Sequence, residues 1–194
     1  MSNLELLKKL REETGAGMTD CQKALSEAKN NFDKAVEILR KNGQKIALNK
    51  QGRTMREGVI DAYVHANKKI GVLIEVSCET DFVARTQNFR DFVHDVAMQI
   101  AAANPQWINP EDVPADIIAR EKDIYGEELK KENKPQAMID KIIGGKMNKF
   151  FIETCLLKQS FIKDDKKTIE DLLEETVAKT GENLKIQRFC RFNI

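Results

Sequence analysis

Leu4, Leu7 and Leu10 recur every third residue at the start of the chain and give a first helix one apolar face. Gly15 and Gly17 end it, because two glycines within three residues favour backbone conformations that a helix does not hold. A second stripe, Cys21, Ala24, Leu25 and Ala28, has helical spacing, with Thr19 or Asp20 as its cap and Asn30 and Asn31 as its end. A third, Phe32, Ala35, Val36 and Leu39, is expected to stop at Gly43. Residues 1–45 therefore read as a small three-helix bundle with a marginal core, and bundles of that size usually bind something. From residue 46 to 57 the apolar pattern lapses and Lys50, Arg53 and Arg56 dominate, the signature of a basic linker with some helical character.

At Gly58 the period changes to two. Ile60, Ala62 and Val64 fall on one side of a strand, with Val59, Asp61, Tyr63 and His65 on the other. A polar turn over residues 66–69 leads into a second strand that alternates Val72, Ile74, Val76 and Cys78 against Leu73, Glu75 and Ser77, so an antiparallel hairpin is expected. A helix from near Asn88 carries Phe89, Phe92, Val93, Val96, Ala97, Ile100 and Ala101 on one face, and Asn104-Pro105 ends it. A charged helix is expected from Ala115 to Glu132, and another from Pro135 to Met147, with Gly144-Gly145 as a helix break. Thr168 caps a helix bearing Ile169, Leu172, Leu173 and Val177, which stops at Gly181. The chain finishes in a second period-two run, with Leu184, Ile186, Cys190, Phe192 and Ile194 on one face and Arg188 interrupting it. Helices and antiparallel strands are segregated, so the fold class is α+β, with residues 58–194 as a core of strands packed with helices.

Between the hairpin and the Phe-rich helix lies Thr80-Asp81-Phe82-Val83-Ala84-Arg85. Two readings fit it. Phe82 can staple the start of the helix while Asp81 and Thr80 cap it. Alternatively, a turn braced by rigid elements on both sides presents an aromatic ring and a carboxylate outward.

Charge narrows the choice of partners. Among 194 residues, 32 are basic and 31 acidic, a net charge of +1, and pairs such as Lys8-Lys9 and Lys166-Lys167 have acidic neighbours. A chain working on nucleic acid would carry a basic excess, so no direct nucleic-acid role is expected. No stretch is apolar and long enough for a bilayer, and the first residues have neither a basic nor an apolar leader region; no membrane partner and a cytoplasmic location are expected. Cys21, Cys78, Cys155 and Cys190 are dispersed, His65 and His94 stand alone, and neither a metal site nor a cofactor is expected. Gly144-Gly145-Lys146 is not a phosphate loop, since Asp140 occupies the position of its first glycine and Met147 that of its Ser or Thr. An enzyme with Cys78 or Cys155 as nucleophile lacks an identifiable base, so no catalytic residue is assigned.

Three segments in order, residues 14–18 (Thr-Gly-Ala-Gly-Met), residues 80–83 (Thr-Asp-Phe-Val) and residues 144–150 (Gly-Gly-Lys-Met-Asn-Lys-Phe), closely resemble the elongation factor Ts family, over nearly the whole chain. The resemblance implies a nucleotide-exchange factor for the GTPase elongation factor Tu. Its N-terminal bundle is then a ubiquitin-associated-like module, and Thr80, Asp81, Phe82 and Val83 disturb the magnesium site of the GTPase. Arg11, Met18 and His65 make further contacts. The single core subdomain resembles the short, homodimeric form, with Leu184, Ile186, Cys190, Phe192 and Ile194 as its seam. The alternative is a ubiquitin-associated-like adaptor that binds proteins without exchange activity.

Overall fold

A computed structural model of the protein describes residues 3–131 and 135–194. Helices α1 (Asn3–Thr14), α2 (Met18–Glu27) and α3 (Phe32–Lys50) bring their stripes together in a core of their own, made by Leu10, Cys21, Ala24, Leu25, Ala28, Ala35 and Leu39. Gly15 takes a φ of 65° between α1 and α2, a left-handed conformation that suits glycine. Two expectations fail in this region. α2 begins ahead of both Thr19 and Asp20, and its N-cap is Gly17, whose extended backbone supplies the cap conformation without a side-chain hydrogen bond; glycine is nearly as good there as a polar cap. α3 does not stop at Gly43 but continues to Lys50.

The reason for that continuation lies far away in sequence. α3 packs on α8 (Ile169–Thr180), and a Cβ on the buried Gly43 would lie 3.6 Å from the Ala178 Cβ. Running past Gly43 also delivers Ala47 to the main core. Tertiary packing outweighs the cost of about 1 kcal/mol for a glycine inside a helix. The two helices are further joined by Arg40, whose guanidinium lies 2.5 Å from the Asp171 carboxylate.

Strands β1 (Glu57–Val64) and β2 (Ile70–Cys78) form the expected antiparallel hairpin, and a four-residue helix, α4 (Asp81–Ala84), follows β2. Helix α5 (Gln87–Ala103) starts at the Thr86 cap and ends on Asn104, which adopts a left-handed φ of 48°. Its stripe of Phe89, Phe92, Val93, Val96, Ala97 and Ile100 is buried with Val72, Ile74, Val76 and Cys78 of β2. The paired helices α6 (Ala115–Lys131) and α7 (Gln136–Thr154) come next. The expected end of α6 at Glu132 lies outside the described residues. Gly144-Gly145 is not a break: α7 passes through both and goes beyond Met147 to Thr154, with Ile139 and Met147 buried. A short hairpin of β3 (Ser160–Phe161) and β4 (Asp164–Thr168) was not signalled by any sequence period. It is tied to α5 by the buried Gln99, whose amide donates to the Ser160 carbonyl at 3.2 Å and accepts from the Ile162 N–H at 2.9 Å.

β5 (Lys185–Asn193) completes a three-stranded antiparallel sheet in the order β1-β2-β5. Its side chains do not share one face as the alternation predicts. Glu75 pairs with Arg188 but Val76 pairs with Ile186, so Gln187 is an extra residue in the ladder. Such a bulge reverses the facing of every later side chain. Leu184 and Ile186 point into the core, 4% and 2% exposed, and cannot lie on a surface seam with Cys190 and Phe192. Past the bulge, Phe189 packs against the core, and Arg191 turns in to donate from Nε and Nη2 to the Ala101 carbonyl at 3.2 and 3.1 Å. That places a cation at the C-terminal end of α5, where carbonyls lack helical partners.

Gly58 faces Ser77 across the hairpin, and a Cβ there would fall 2.4 Å from the Val76 carbonyl oxygen. Gly58→Ala should therefore cost about 1–3 kcal/mol, the range for overpacking against an unyielding neighbour, whereas Gly71→Ala, with open space around it, should be close to neutral in the same urea titration. A second expectation concerns acid. Burial pushes the Asp171 carboxyl up, but the hydrogen bonds from Arg40 and from the Thr168 N–H and hydroxyl prevail and hold it below the usual aspartate range. A depressed folded-state pKa contributes stability above the unfolded value of about 3.9 that is lost as pH falls through the lower folded value. The unfolding free energy should drop across that acid window, and Asp171→Asn should flatten the drop.

Candidate partner-binding surface

Thr80 ends the hairpin with an extended backbone and N-caps α4, its hydroxyl oxygen accepting from the Val83 N–H at 3.5 Å. Val83 and Ala84 are buried in the main core and anchor the turn. Between these anchors Phe82 projects into solvent, 80% exposed, so it does not staple α5. Asp81 is half-exposed beside it, and its carboxylate lies 2.9 Å from the Arg85 guanidinium. Of the four residues singled out here, Phe82 and Asp81 are presented outward, Thr80 caps, and Val83 points inward.

The turn is held from the opposite end of the chain. One oxygen of the Glu182 carboxylate accepts from the Thr80 N–H at 3.0 Å and the Glu79 N–H at 3.1 Å, and the other accepts from the Thr80 hydroxyl at 2.6 Å. In return the Glu79 carboxylate accepts from the Asn183 N–H at 2.6 Å. Nothing local in the sequence singles out Glu182, since its partners lie about a hundred residues away.

Arg11 is exposed in the last turn of α1, and Met18 is 41% exposed at the first position of α2. The Gly15 turn between them rests on α8: a Cβ on Gly15 would fall 2.5 Å from Cε of Lys179. Lys179 precedes Glu182 by three residues, so the turn beside Met18 and the turn bearing Phe82 are both braced by the C-terminal end of α8. His65 is elsewhere. It follows β1 at the far tip of the hairpin, whereas Thr80 lies beyond the Glu57 end of β1, which pairs with Cys78. Eight strand residues separate the two ends, roughly 27 Å at the usual rise. The exposed His65 ring has its Nδ1 3.0 Å from the Tyr63 hydroxyl, and Tyr63 meets His94 edge-on with ring centroids 5.7 Å apart.

Cys78 and Cys155, the two candidate nucleophiles, have an environment that opposes nucleophilic chemistry. Burial, with a smaller contribution from Glu182, pushes the Cys78 thiol up to about 11, and burial raises Cys155 as well. Both are protonated near neutrality, and the thiolate is the reactive form. Among the described residues, no three His, Cys, Asp or Glu side chains are grouped to hold a metal, and no helix is long and apolar enough to cross a membrane.

The outer face of the sheet carries apolar side chains from all three strands. Ile60 and Val64 of β1, Leu73 of β2 and Phe192 of β5 are exposed, and Cys190, opposite Leu73, is exposed with them. Ile60, Val64 and Leu73 escape a sequence reading confined to the terminal strand, although their alternation marks this face.

Comparison with known proteins covers both surfaces. The chain is 51% identical to elongation factor Ts of Thermosipho melanesiensis over 194 residues, spanning all of this chain and 99% of that protein. It is 52% identical to elongation factor Ts of Thermotoga maritima over 192 residues, 99% of this chain and 96% of that one. Against elongation factor Ts of Anaeromyxobacter dehalogenans, the identity is 51% over 188 residues, 97% of this chain and 86% of the relative. The family model described as elongation factor TS matches residues 4–194. With the three-helix bundle, the braced Thr80 turn and the antiparallel core all inside that match, the chain belongs to the elongation factor Ts family.

Proposed function

We propose that this protein binds the GTPase elongation factor Tu in the cytoplasm and promotes GDP release by disturbing its magnesium site, after which GTP binding displaces it. It acts as a nucleotide-exchange factor without a catalytic site of its own and without direct contact to nucleic acid. The observation that carries this reading is the exposure of Phe82 beside Asp81 on a turn whose backbone is fixed on both flanks. A ring that contributes little to its own core is free to enter a partner's. Magnesium at a nucleotide keeps a demanding octahedral shell with few protein ligands, so a small displacement of its surroundings weakens it. The exchange factor need only bind the empty GTPase more tightly than the loaded one.

Magnitudes require more than the wedge. Loosening a nucleotide ten-thousandfold takes roughly 5.5 kcal/mol of differential binding, and burying one Phe side chain supplies about 1.5–3 kcal/mol. Arg11 and Met18 on the bundle (residues 1–45) supply part of the remainder. Their bracing on the same helix end as Phe82 supports a joint footprint for the bundle and the core (residues 58–194), with residues 46–57 connecting them. His65, at the opposite end of the hairpin, engages a different region of the partner or a second GTPase molecule.

The protein acts as a homodimer through the outer face of its sheet. Ile60, Val64, Leu73, Cys190 and Phe192 form an apolar patch on that face, with Ile194 at its edge and the Glu75–Arg188 ion pair beside it, and a twofold sheet-on-sheet contact would cover the patch.

Release of labelled GDP from elongation factor Tu tests the first reading. Phe82→Ala should slow catalysed release by roughly ten- to a hundredfold, the equivalent of one lost Phe burial, while its unfolding midpoint stays unchanged. Asp81→Ala should weaken exchange most at high magnesium, and an effect indifferent to magnesium would remove Asp81 from that role. Sedimentation under reducing conditions tests the dimer. The native chain should run at twice its own mass and Phe192→Asp as a monomer, because an unpaired charge would enter an apolar contact.

A further inference from the structure

Glu182 occupies a position that its own helix does not explain. It lies just past the Gly181 C-cap of α8, where carbonyl groups are exposed and a carboxylate gains nothing from the helix dipole. All three of its shorter hydrogen bonds go instead to Glu79 and Thr80. We infer that Glu182 is a positioning residue for nucleotide exchange, fixing the Thr80 turn so that Phe82 and Asp81 are presented before the partner arrives; this rests on the exchange reading above.

The geometry shows why such a residue is required. α4 is four residues long, too short to hold its own conformation. Its first turn depends on Thr80, and the Thr80 hydroxyl has two duties: its oxygen accepts from the Val83 N–H while its proton goes to Glu182. The carboxylate therefore selects the hydroxyl rotamer that caps α4. By taking the N–H groups of Glu79 and Thr80 as well, it fixes the peptide planes on both sides of Glu79. Glu79 reciprocates by accepting from the Asn183 N–H, and its other oxygen lies 3.6 Å from the Arg53 guanidinium. Asn183 then donates from its side chain to the Arg53 carbonyl at 3.3 Å. The loop after α8, the segment before β1 and the Thr80 turn are thus laced together, with Glu182 making the contacts nearest Phe82. Cys78 adds one more restraint, its thiol donating to the Thr80 carbonyl at 3.2 Å. Phe82 itself makes no comparable contribution to its own placement, since its ring is in solvent.

A group that acts by presenting another should raise the rate at saturation and should act only through the group presented. The test uses the full chain, with Glu182→Ala, Glu182→Gln, Phe82→Ala and the Glu182→Ala/Phe82→Ala double variant. Two readouts are taken: amide hydrogen exchange in the free protein, and the maximal rate and half-saturating concentration of GDP release from elongation factor Tu. Glu182→Ala should lose protection at the Glu79, Thr80 and Val83 amides with the core amides of α5 unchanged. Its maximal release rate should fall about ten- to a hundredfold, the scale of losing preorganisation at a reacting centre, with a smaller change in half-saturation. In the Phe82→Ala background the same substitution should have a much smaller further effect, limited to the contribution of Asp81. Glu182→Gln keeps one carbonyl acceptor and should recover part of both signals; it carries the test if the alanine variant does not fold. Retained amide protection, an unchanged maximal rate, or a full additional loss in the Phe82→Ala background would each overturn the inference. If Phe82→Ala alone releases GDP at the full rate, the wedge reading fails instead, and the amide data still decide whether Glu182 holds the turn.

Discussion

Helix α8 is the constraint on which the rest of the structure depends. It is packed by α3 on one side and by α5 on another, and its Ile169 and Val177 sit in the main core. The bundle core and the sheet core are therefore referenced to the same rod. α3 must keep its small residues, Gly43 and Ala47, toward that rod, and for this reason it remains helical through a glycine that would otherwise end it. The capping box of Thr168 and Asp171 fixes where α8 starts, and Arg40 reads the same carboxylate from α3. One buried acid thus sets both the beginning of a helix and the angle at which its neighbour arrives.

The other end of α8 positions the two turns that carry the candidate contact residues. Lys179 lies under the Gly15 turn and Glu182 holds the Thr80 turn, so two loops far apart in sequence take their positions from one four-residue stretch of chain. On the exchange reading this matters because no single side chain supplies the differential binding needed. Several modest contacts add up only if they reach the partner together, and a common mount makes that possible without ordering loops at the moment of binding.

Much of this was legible from residue pattern alone. The alternation in β1 and β2, the Phe-rich face of α5 and the Thr168 to Gly181 helix are all legible because each signal is local; β2, α5 and α8 bury the face their period marks, whereas β1 turns Ile60 and Val64 to the outer face of the sheet. The failures share a cause. Gly43 and Gly144-Gly145 were assigned as breaks on intrinsic preference, which tertiary packing overrode. Gln187 looks like any other strand residue, yet as an extra residue it reverses the later half of β5 and puts Cys190 and Phe192 on the face opposite Leu184 and Ile186. Glu182 and Lys179 could not be found by pattern, since their significance comes from partners brought close only by folding. Phe82 is visible as a candidate in the sequence, but whether its ring staples a helix or faces solvent is settled only by its exposure, while Thr80 caps α4 in either case.

The bulge at Gln187 also sets how this chain can vary. Substitution in β5 is judged position by position, as on any strand. Deletion is different. Removing Gln187 itself would restore a regular ladder, with Ile186 still opposite Val76 and Arg188 opposite Glu75, and would leave every later side chain on its present face. Removing a residue past the bulge, such as Phe189, would instead swing Arg191 out of the α5 carbonyls and drive Cys190 and Phe192 toward the interior. The inner half and the outer half of the strand are kept apart by length rather than by composition. Variants of this protein should therefore accept many exchanges of residue type along β5 while conserving its residue count outside the bulge, and an alignment gap past Gln187 would mark a change in which face of the sheet is available.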